Sequence, residues 1–232
     1  MLLTLDTVEF RRENFVLHAE GTFSPGTHLL TGRIGSGKST LGELLRGELE
    51  CDSGKIIQEG IFRLVLSMQF PEYHITTTHV DEEIMSWGHN PAHILKEAGL
   101  LGRGSDDLLT LSRGELKRLH LACLLAGNYD LMVLDEPFAG LDDEARCWIV
   151  ARLDQCRDRI VIIISHDITT LPRIDHIWEM QDGILTYIGP VPIALLNWKD
   201  APPLIRYLVR LGLCPAGLSW NNLAEAVCKI PE

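Results

Sequence analysis

The stretch GRIGSGKST, at Gly32 to Thr40, decides the fold of this 232-residue chain. It lies between the apolar segment HLLT (28–31) and a run, 39–49, whose leucines recur at helical spacing. A glycine-rich loop between a strand and a helix points backbone N–H groups at phosphate oxygens, and the helix adds the positive end of its dipole. The stretch therefore predicts a phosphate site in an α/β fold, which this setting favours over a plain glycine turn.

Each residue of this loop is a candidate nucleotide contact. Lys38 is placed to reach the β- and γ-phosphates, and the Ser39 hydroxyl is placed to ligate Mg²⁺. The expected ligands are therefore ATP and Mg²⁺. The predicted nucleotide-binding residues of the loop are Gly32, Arg33, Ile34, Gly35, Ser36, Gly37, Lys38, Ser39 and Thr40.

An acidic pair, Asp135 and Glu136, directly follows the apolar run 131–134. Open α/β sheets bind their ligands at the carboxyl ends of such strands. Taken alone, an acidic pair there is more often a helix cap or a solvated turn, but the phosphate loop upstream favours a catalytic role. We predict that Asp135 holds Mg²⁺ and that Glu136 orients and deprotonates the attacking water.

His166 and Gln69 also follow predicted strands. A neutral imidazole at residue 166 can hydrogen-bond a γ-phosphate, and Gln69 is a candidate contact to Mg²⁺ and water. A lone histidine at a strand end is usually a capping or core residue, and a lone glutamine is uninformative. Because the other motifs accompany them, we include His166 and Gln69 with Glu136 in the predicted catalytic set.

The segment LSRGE, residues 111–115, has two compatible interpretations. Ser112 and Glu115 stand three apart before a helical run, which is a capping box. The same cap exposes a helix N-terminus where Ser112, Arg113 and the bare backbone of Gly114 can bind a γ-phosphate. Because this helix is remote from the phosphate loop in the sequence, we expect it to serve the nucleotide of a second copy.

The apolar run 131–134 and a second one, 160–164, each have the length of a strand and no alternation with polar residues. Such runs fit central strands of a parallel sheet covered on both faces, and the helical stretch 143–157 between them is the expected crossover. Residues 1–31 predict two or three strands, and 55–67 predicts a pair of strands around a glycine turn.

Residues 80–128 are helical in pattern, with two interruptions, and predict a helical insert in the α/β fold. From residue 191 onward, prolines punctuate two short amphipathic segments, 204–213 and 221–229. We predict a small C-terminal appendage over 191–232 that packs on the main domain or on another chain.

Composition and charge narrow the classes of partner. A net charge of −11 argues against DNA or RNA, and the acidic surface suits either a basic protein partner or plain solubility.

The six cysteines show no C-x-x-C pair and predict free thiols in a reducing cytosol. His89 and His93 lie four apart, but Pro91 between them disfavours a metal pair. No signal-peptide pattern or long apolar run occurs, so we expect a soluble chain whose membrane role comes through a partner.

In this order, the motifs resemble those of ATP-binding cassette (ABC) ATPases. The resemblance covers residues 1–190 and implies a P-loop NTPase fold: a mixed sheet, an N-terminal β-subdomain and a helical subdomain at about 70–126. It adds Asp142 to the nucleotide-binding set. The matching segments are Walker A at 32–40, the Q-loop at Gln69, the signature at 111–115, Walker B at 134–137, the D-loop at 139–142 and the switch histidine, His166.

Within that family, QFPE at 69–72 and the tail PPLIRYLVRLGLCP followed by LAEAV resemble the energy-coupling factor (cobalt-type) importer ATPases. Such tails are associated with pairing of two ATPases. The resemblance implies a motor on the cytoplasmic side of the cell membrane that drives uptake of a vitamin or metal ion. Its implied partners are a second ABC ATPase subunit, of the same or a related chain, a membrane scaffold with coupling helices, and a substrate-binding membrane subunit.

Near the Q-loop, four acidic residues are expected to complement arginines of the scaffold's coupling helices, with a solvated helix start as the alternative. They are Glu72, Asp81, Glu82 and Glu83.

Two departures from the family pattern stand out. Arg12 aligns with the adenine-stacking aromatic, so either Arg12 stacks on the base or Phe10 or Phe15 substitutes for it. The signature carries Arg113 and Glu115 where glycine and glutamine are usual. Its phosphate-facing members are intact, so we expect activity to survive.

Two alternatives to an importer motor remain. A soluble ABC ATPase of repair or translation is disfavoured because those types carry long coiled coils or two cassettes in one chain. A non-hydrolysing ATP switch is disfavoured by the intact Lys38, Glu136 and His166.

Overall fold

The computed structural model describes residues 1–167 and 170–230. Its strands are β1 (Leu2–Arg12), β2 (Phe15–Phe23), β3 (Gly26–Thr31), β4 (Ser53–Glu59), β5 (Leu64–Ser67), β6 (Leu131–Asp135), β7 (Ile160–Ile164), β8 (His176–Gln181) and β9 (Ile184–Pro190). Its helices are α1 (Lys38–Arg46), α2 (Val80–Ser86), α3 (Pro91–Glu97), α4 (Arg113–Ala126), α5 (Asp143–Leu153), α6 (Ile193–Asn197), α7 (Pro203–Arg210) and α8 (Trp220–Val227).

These strands form one mixed sheet in the order β4-β1-β2-β9-β8-β3-β7-β6-β5. The stretch from β8 through β3, β7 and β6 to β5 is parallel throughout, whereas β1 pairs antiparallel with β2 and β4. Every residue of β6 and β7 is buried, as their continuous apolar sequences predict. The predicted α/β class, with a mixed sheet and a helical insert, is confirmed.

The predicted pairing of strands within 55–67 is wrong. β4 pairs with β1 at one end of the sheet, and β5 pairs with β6 at the other. The connecting residues cross over, and the Asp130 carboxylate holds them by accepting hydrogen bonds from the N–H groups of Phe62 (2.8 Å) and Arg63 (2.9 Å). A glycine turn between two strand-like runs suggests a hairpin locally, but the partner of each strand is set by the order of the whole sheet.

The C-terminal segment packs on the main body. Leu195, Trp198, Ile205 and Leu223 belong to the same buried cluster as Leu134 of β6. The Trp198 indole N–H also donates to Glu179 in β8 at 3.0 Å. Of the two packing partners left open for this segment, the structure shows the main domain.

The helical insert has its own core. Residues of α2, α3 and α4 form a separate buried cluster that includes Ile84, Ile94 and Leu119.

Among the described residues, no helix is long and apolar enough to cross a membrane. In the structure, the thiols of Cys51, Cys123, Cys147, Cys156, Cys214 and Cys228 are free. His89 binds the Cys123 carbonyl at 2.8 Å, and no metal-binding cluster occurs in residues 1–167 and 170–230.

Candidate functional site

The carboxyl ends of four neighbouring parallel strands bring the predicted motifs to one edge of the sheet. The phosphate loop follows β3, His166 follows β7, the acidic pair ends β6, and Gln69 follows β5. These strands are adjacent in the order β3-β7-β6-β5. Segments that are far apart in the sequence therefore meet at the position where α/β sheets bind ligands.

The phosphate loop is tightly built around Gly37, the residue before α1. Gly37 has a φ of 107°, and a Cβ there would lie 2.6 Å from the Phe15 ring, so only glycine fits. The Lys38 ammonium donates to the carbonyls of Gly32 and Arg33, both at 2.8 Å. Burial lowers the pKa of Lys38, and the carboxylates of Asp135 and Glu136 oppose that shift.

The loop fits a nucleotide's phosphates. The hydroxyl oxygen of Ser36 is buried and, within the described residues, has no hydrogen-bond partner. The N-terminus of α1 has no side-chain cap, and Gly35 faces open space. Phosphate oxygens would satisfy both the hydroxyl and the free N–H groups. Ile34, by contrast, exposes its side chain to solvent and offers the site only its backbone.

Ser39 and Asp135 form the candidate metal site. The Ser39 hydroxyl donates to the Asp135 carboxylate at 2.6 Å, joining the first turn of α1 to the end of β6. Burial raises the pKa of Asp135, while the hydrogen bond from Ser39 lowers it. A hydroxyl and a carboxylate are the oxygen ligands that suit Mg²⁺, so this pair fits the ion. Gln69 lies exposed at the end of the neighbouring β5.

Glu136 is held by the end of the neighbouring strand β7. One carboxylate oxygen accepts from the His166 backbone N–H at 3.1 Å and lies 2.5 Å from His166 Nδ1. The other oxygen accepts from the Ser165 hydroxyl at 3.2 Å. The candidate base and the candidate switch histidine, 30 residues apart, thus share a hydrogen bond. A carboxylate fixed in this way is well placed to orient and deprotonate a water.

Lys117 of α4 is a site residue that the sequence analysis missed. Its ammonium is buried and donates to the carbonyls of Glu136 (2.5 Å), Ala139 (3.2 Å) and Gln69 (3.5 Å). Burial lowers the pKa of Lys117 to about 8, although the Glu136 carboxylate favours its charged form. One signal was available: Lys117 begins an i, i+4, i+7 stripe whose other members, Leu121 and Leu124, are apolar.

The signature segment forms the capping box predicted for it. The Glu115 N–H donates to the Ser112 hydroxyl at 3.3 Å, and the Ser112 N–H donates to the Glu115 carboxylate at 2.8 Å. Glu115 also binds Arg103 at 2.5 Å, which accounts for a carboxylate in place of the usual glutamine amide. Ser112 and Arg113 face solvent at the helix N-terminus, where a ligand from outside the chain can approach.

Arg113 and Gly114 contact two other motifs of the same chain. Arg113 Nε lies 3.4 Å from a carboxylate oxygen of Glu72, just beyond Gln69. A Cβ on Gly114 would lie 3.3 Å from the Gly140 carbonyl oxygen, so the signature abuts the 139–142 loop. Asp142 in that loop caps α5 by accepting from the Ala145 N–H at 2.8 Å. Asp142 therefore has a structural role as a helix cap in addition to its predicted role as a nucleotide contact.

The structure reduces the candidates for stacking on adenine from three residues to two. Phe10 is buried in the core of the β-subdomain and is not free to stack on a base. Arg12 is exposed at the end of β1 and pairs across the hairpin with Phe15. Phe15 is half-buried, and its ring lies against Gly37 of the phosphate loop. Phe10 is therefore excluded as the substitute, whereas Arg12 and Phe15 remain candidates.

The inclusion of Glu83 in an acidic docking surface is wrong. Its side chain is buried, and one oxygen accepts from the backbone N–H groups of Thr76 (2.9 Å) and Thr77 (3.1 Å) and from both hydroxyls. The other oxygen accepts from the Trp87 indole at 3.1 Å. Glu83 therefore holds the 76–77 turn, and its sequence position at a helix start gave no sign of this burial.

Comparisons with known proteins show which family the chain resembles. The family model described as "ABC transporter" matches residues 18–139, more than half of the chain. An energy-coupling factor transporter ATP-binding protein of Thermotoga maritima is 28% identical over 228 residues, covering 86% of each protein.

Two solved structures share the fold. CbiO1 of Clostridium perfringens, described as part of the ABC transporter complex CbiONQ, has a TM-score of 0.68 at 20% identity and covers 90% of this chain and 95% of its own. A dimeric ATP-binding cassette bound to ADP and Pi has a TM-score of 0.68 at 18% identity, covering 81% of this chain and 98% of its own.

Proposed function

The chain belongs to the ABC transporter family of ATP-binding proteins, and from this we propose that it drives an importer of energy-coupling factor type for a vitamin or metal ion. One observation carries the catalytic part of this proposal. Glu136 is held by Ser165 and His166 beside the hydrogen-bonded pair Ser39 and Asp135. This arrangement supports Glu136 as the base, next to a candidate metal-binding pair and the phosphate loop.

In the proposed mechanism, the N–H groups of residues 32–40 and Lys38 bind the ATP phosphates. Ser39 and Asp135, with Gln69, would hold Mg²⁺, which when bound neutralises charge on the phosphate oxygens. Glu136 accepts a proton from water as the water oxygen attacks the γ-phosphorus. The bond from that phosphorus to the ADP oxygen breaks, and ADP and phosphate leave.

His166 keeps Glu136 in position in this scheme. Its backbone N–H and Nδ1 both face the same carboxylate oxygen. The second oxygen, bound only by the Ser165 hydroxyl among its described contacts, is the better acceptor for the water proton. The His166 side chain is 64% exposed, so its second ring nitrogen, Nε2, is available to the γ-phosphate.

A second ATPase subunit, of the same or a related chain, completes each site in this proposal. Its support is the solvent-facing helix start at Ser112 and Arg113, which is capped and carries a positive charge. In the C-terminal segment, Leu204 and Tyr207 of α7 and Trp220 of α8 are exposed, which supports pairing there. Two such chains would close around two ATP molecules and reopen after hydrolysis.

A membrane scaffold is the second proposed partner. Beside Gln69, the large side chains of Phe70, Tyr73 and Met85 are exposed, with Glu72 and Glu82 nearby in sequence and also exposed. Tyr73 also lines a groove of about 610 Å³, together with His74, Thr76 and Trp87. An amphipathic helix with basic residues fits this apolar and acidic surface. This would hold the chain at the cytoplasmic face of the membrane, next to a separate subunit that selects the solute.

Purification of the tagged chain from gently solubilised membranes of its own host tests the proposal. We expect a polytopic scaffold and a small solute-binding membrane protein to accompany it. Recovery with soluble proteins only, and absence from the membrane fraction, would instead support a non-transport ABC ATPase. A Glu72→Lys, Glu82→Lys variant should lose the scaffold, whereas the same change at Glu20, on the remote strand β2, should not.

A further inference from the structure

Lys117 joins three segments of the candidate site through one buried ammonium group. Its acceptors are the backbone carbonyls of Gln69 after β5, Glu136 at the end of β6, and Ala139 in the following loop. Lys117 itself lies in the second turn of α4 and is only 5% exposed. Because all three acceptors are main-chain atoms, the contact acts on backbone position and not on the identity of those side chains.

The contact to Glu136 fixes a backbone conformation that is rare for a residue with a side chain. Glu136 has a φ of 48°, in the left-handed region. Its N–H donates to the Ile164 carbonyl at 2.9 Å, and its own carbonyl accepts from Lys117 at 2.5 Å. Both main-chain polar groups are thereby held, and this conformation directs the carboxylate towards Ser165 and His166.

The same lysine lies one turn after the exposed start of α4. Arg113 precedes it by four residues, and Ser112 caps the helix. A displacement of this helix start would therefore be passed to the Glu136 carbonyl through a single side chain. Lys117 is the only buried lysine among the described residues.

We propose that Lys117 is a positioning residue for hydrolysis, which holds the backbone of Glu136 in register with the Q-loop and couples it to the helix that meets the second nucleotide. This inference rests on the proposed function, since it deepens the role of the same site. Lys117 touches no reacting atom and acts through Glu136.

The test uses the full chain with Lys117→Met, which keeps an unbranched side chain but removes the terminal ammonium and its charge. Cys123→Ala is the matched control, because Cys123 is a buried side chain of α4 that contacts none of the three carbonyls. If the methionine variant fails to fold, Lys117→Gln replaces it. The measurements are kcat, the Kd for a fluorescent ATP analogue, and the ¹⁵N chemical shifts of the His166 imidazole.

We expect Lys117→Met to lower kcat at least about tenfold while the nucleotide Kd changes less than about threefold, as when an interaction with the base is lost. Lys117→Arg should recover part of the rate. Cys123→Ala should lower the melting temperature without changing kcat per folded molecule. In a Glu136→Gln background, Lys117→Met should cost less than about twofold, because residues that act as a unit are non-additive.

A kcat within about twofold of the parent for Lys117→Met, or an equal loss in both backgrounds, overturns the inference. The His166 signal separates this failure from failure of the proposed function. If the parent does not hydrolyse ATP, the proposed function fails, but a changed imidazole shift in Lys117→Met alone still supports the positioning role. An unchanged shift rejects that role whether or not the parent turns over.

Discussion

Ser39 and Asp135 lie 96 residues apart, yet the hydroxyl of one donates to the carboxylate of the other at 2.6 Å. The bond joins α1, the helix after the phosphate loop, to the end of β6. In the sheet, β6 lies two positions from β3, the strand that precedes the loop. In the proposed mechanism, these two oxygens would hold Mg²⁺ beside the phosphates.

Asp135→Asn should lower Mg²⁺-dependent ATP hydrolysis on the order of a hundredfold, because an amide oxygen replaces a charged metal ligand. Titration of Mg²⁺ against ATPase rate measures the effect and should show a weaker apparent affinity for the ion. Asp143→Asn, at an exposed position on α5, is the control. An unchanged Mg²⁺ dependence would place the metal elsewhere.

Glu136→Gln should reduce kcat by about a hundredfold or more, with nucleotide binding retained, because the amide cannot accept the water proton. Single-turnover hydrolysis and a fluorescent ATP analogue separate the two quantities. Glu144→Gln changes an exposed glutamate in the first turn of α5 and should leave both values unaltered. Hydrolysis at the parental rate would remove Glu136 from the role of base.

Arg12→Ala should weaken ATP binding severalfold if the guanidinium stacks on adenine, a contact worth about 1 kcal/mol or more. Phe15→Leu provides the comparison, because Phe15 is the other remaining candidate and its ring lies against Gly37. Binding of ATP and of inorganic triphosphate is measured for both variants. A base contact affects only ATP, so an equal loss for both ligands would instead indicate a damaged loop.

Glu83→Gln should lower the free energy of unfolding by about 2–3 kcal/mol, because the amide NH₂ group faces donors that need an acceptor. Glu82→Gln, the adjacent exposed position, should change it by less than about 0.5 kcal/mol. Urea denaturation of both variants provides the comparison. Equal stability of the two would mean that the hydrogen bonds of Glu83 contribute nothing net.

His28 should make the fold less stable as the pH falls. The Trp178 indole N–H donates to His28 Nδ1 at 3.0 Å, and His28 Nε2 bonds the Ser24 carbonyl at 2.8 Å, so the ring is held neutral. Burial lowers the pKa of His28 to about 4 from 6.5. Between these values the unfolded chain binds a proton that the folded one does not, and stability is lost at up to about 1.4 kcal/mol per pH unit.

Urea denaturation between pH 7 and pH 4.5 measures this slope. His28→Phe should reduce it, although burial also lowers the pKa values of His74, His120 and His176 and leaves part of the slope in place. A slope unaffected by His28→Phe would show that the ring is protonated in the folded chain.

Local patterns in the sequence were sufficient for much of the fold. The two apolar runs became the buried strands β6 and β7, and Ser112 with Glu115 formed the capping box. Each of these features depends on residues close together in the chain, where periodicity and capping chemistry act directly. The order of the motifs was likewise enough to indicate the family.

The pairing of β4 and β5 was not predictable in the same way, and neither was the burial of Glu83. Strand partners depend on which edges remain open after the rest of the sheet has assembled. Glu83 became buried because two threonines and Trp87 converge on it from neighbouring turns.

By itself, the sequence determined which chemical groups this protein carries and that strand ends would present them, because strand, loop and helix follow from neighbouring residues. Only the tertiary structure decided that β7 lies between β3 and β6, which brings His166 to Glu136. It also decided that Lys117 turns inward to three carbonyls. Both outcomes depend on contacts between residues distant in the chain, and these are fixed by packing of the whole sheet and its helices.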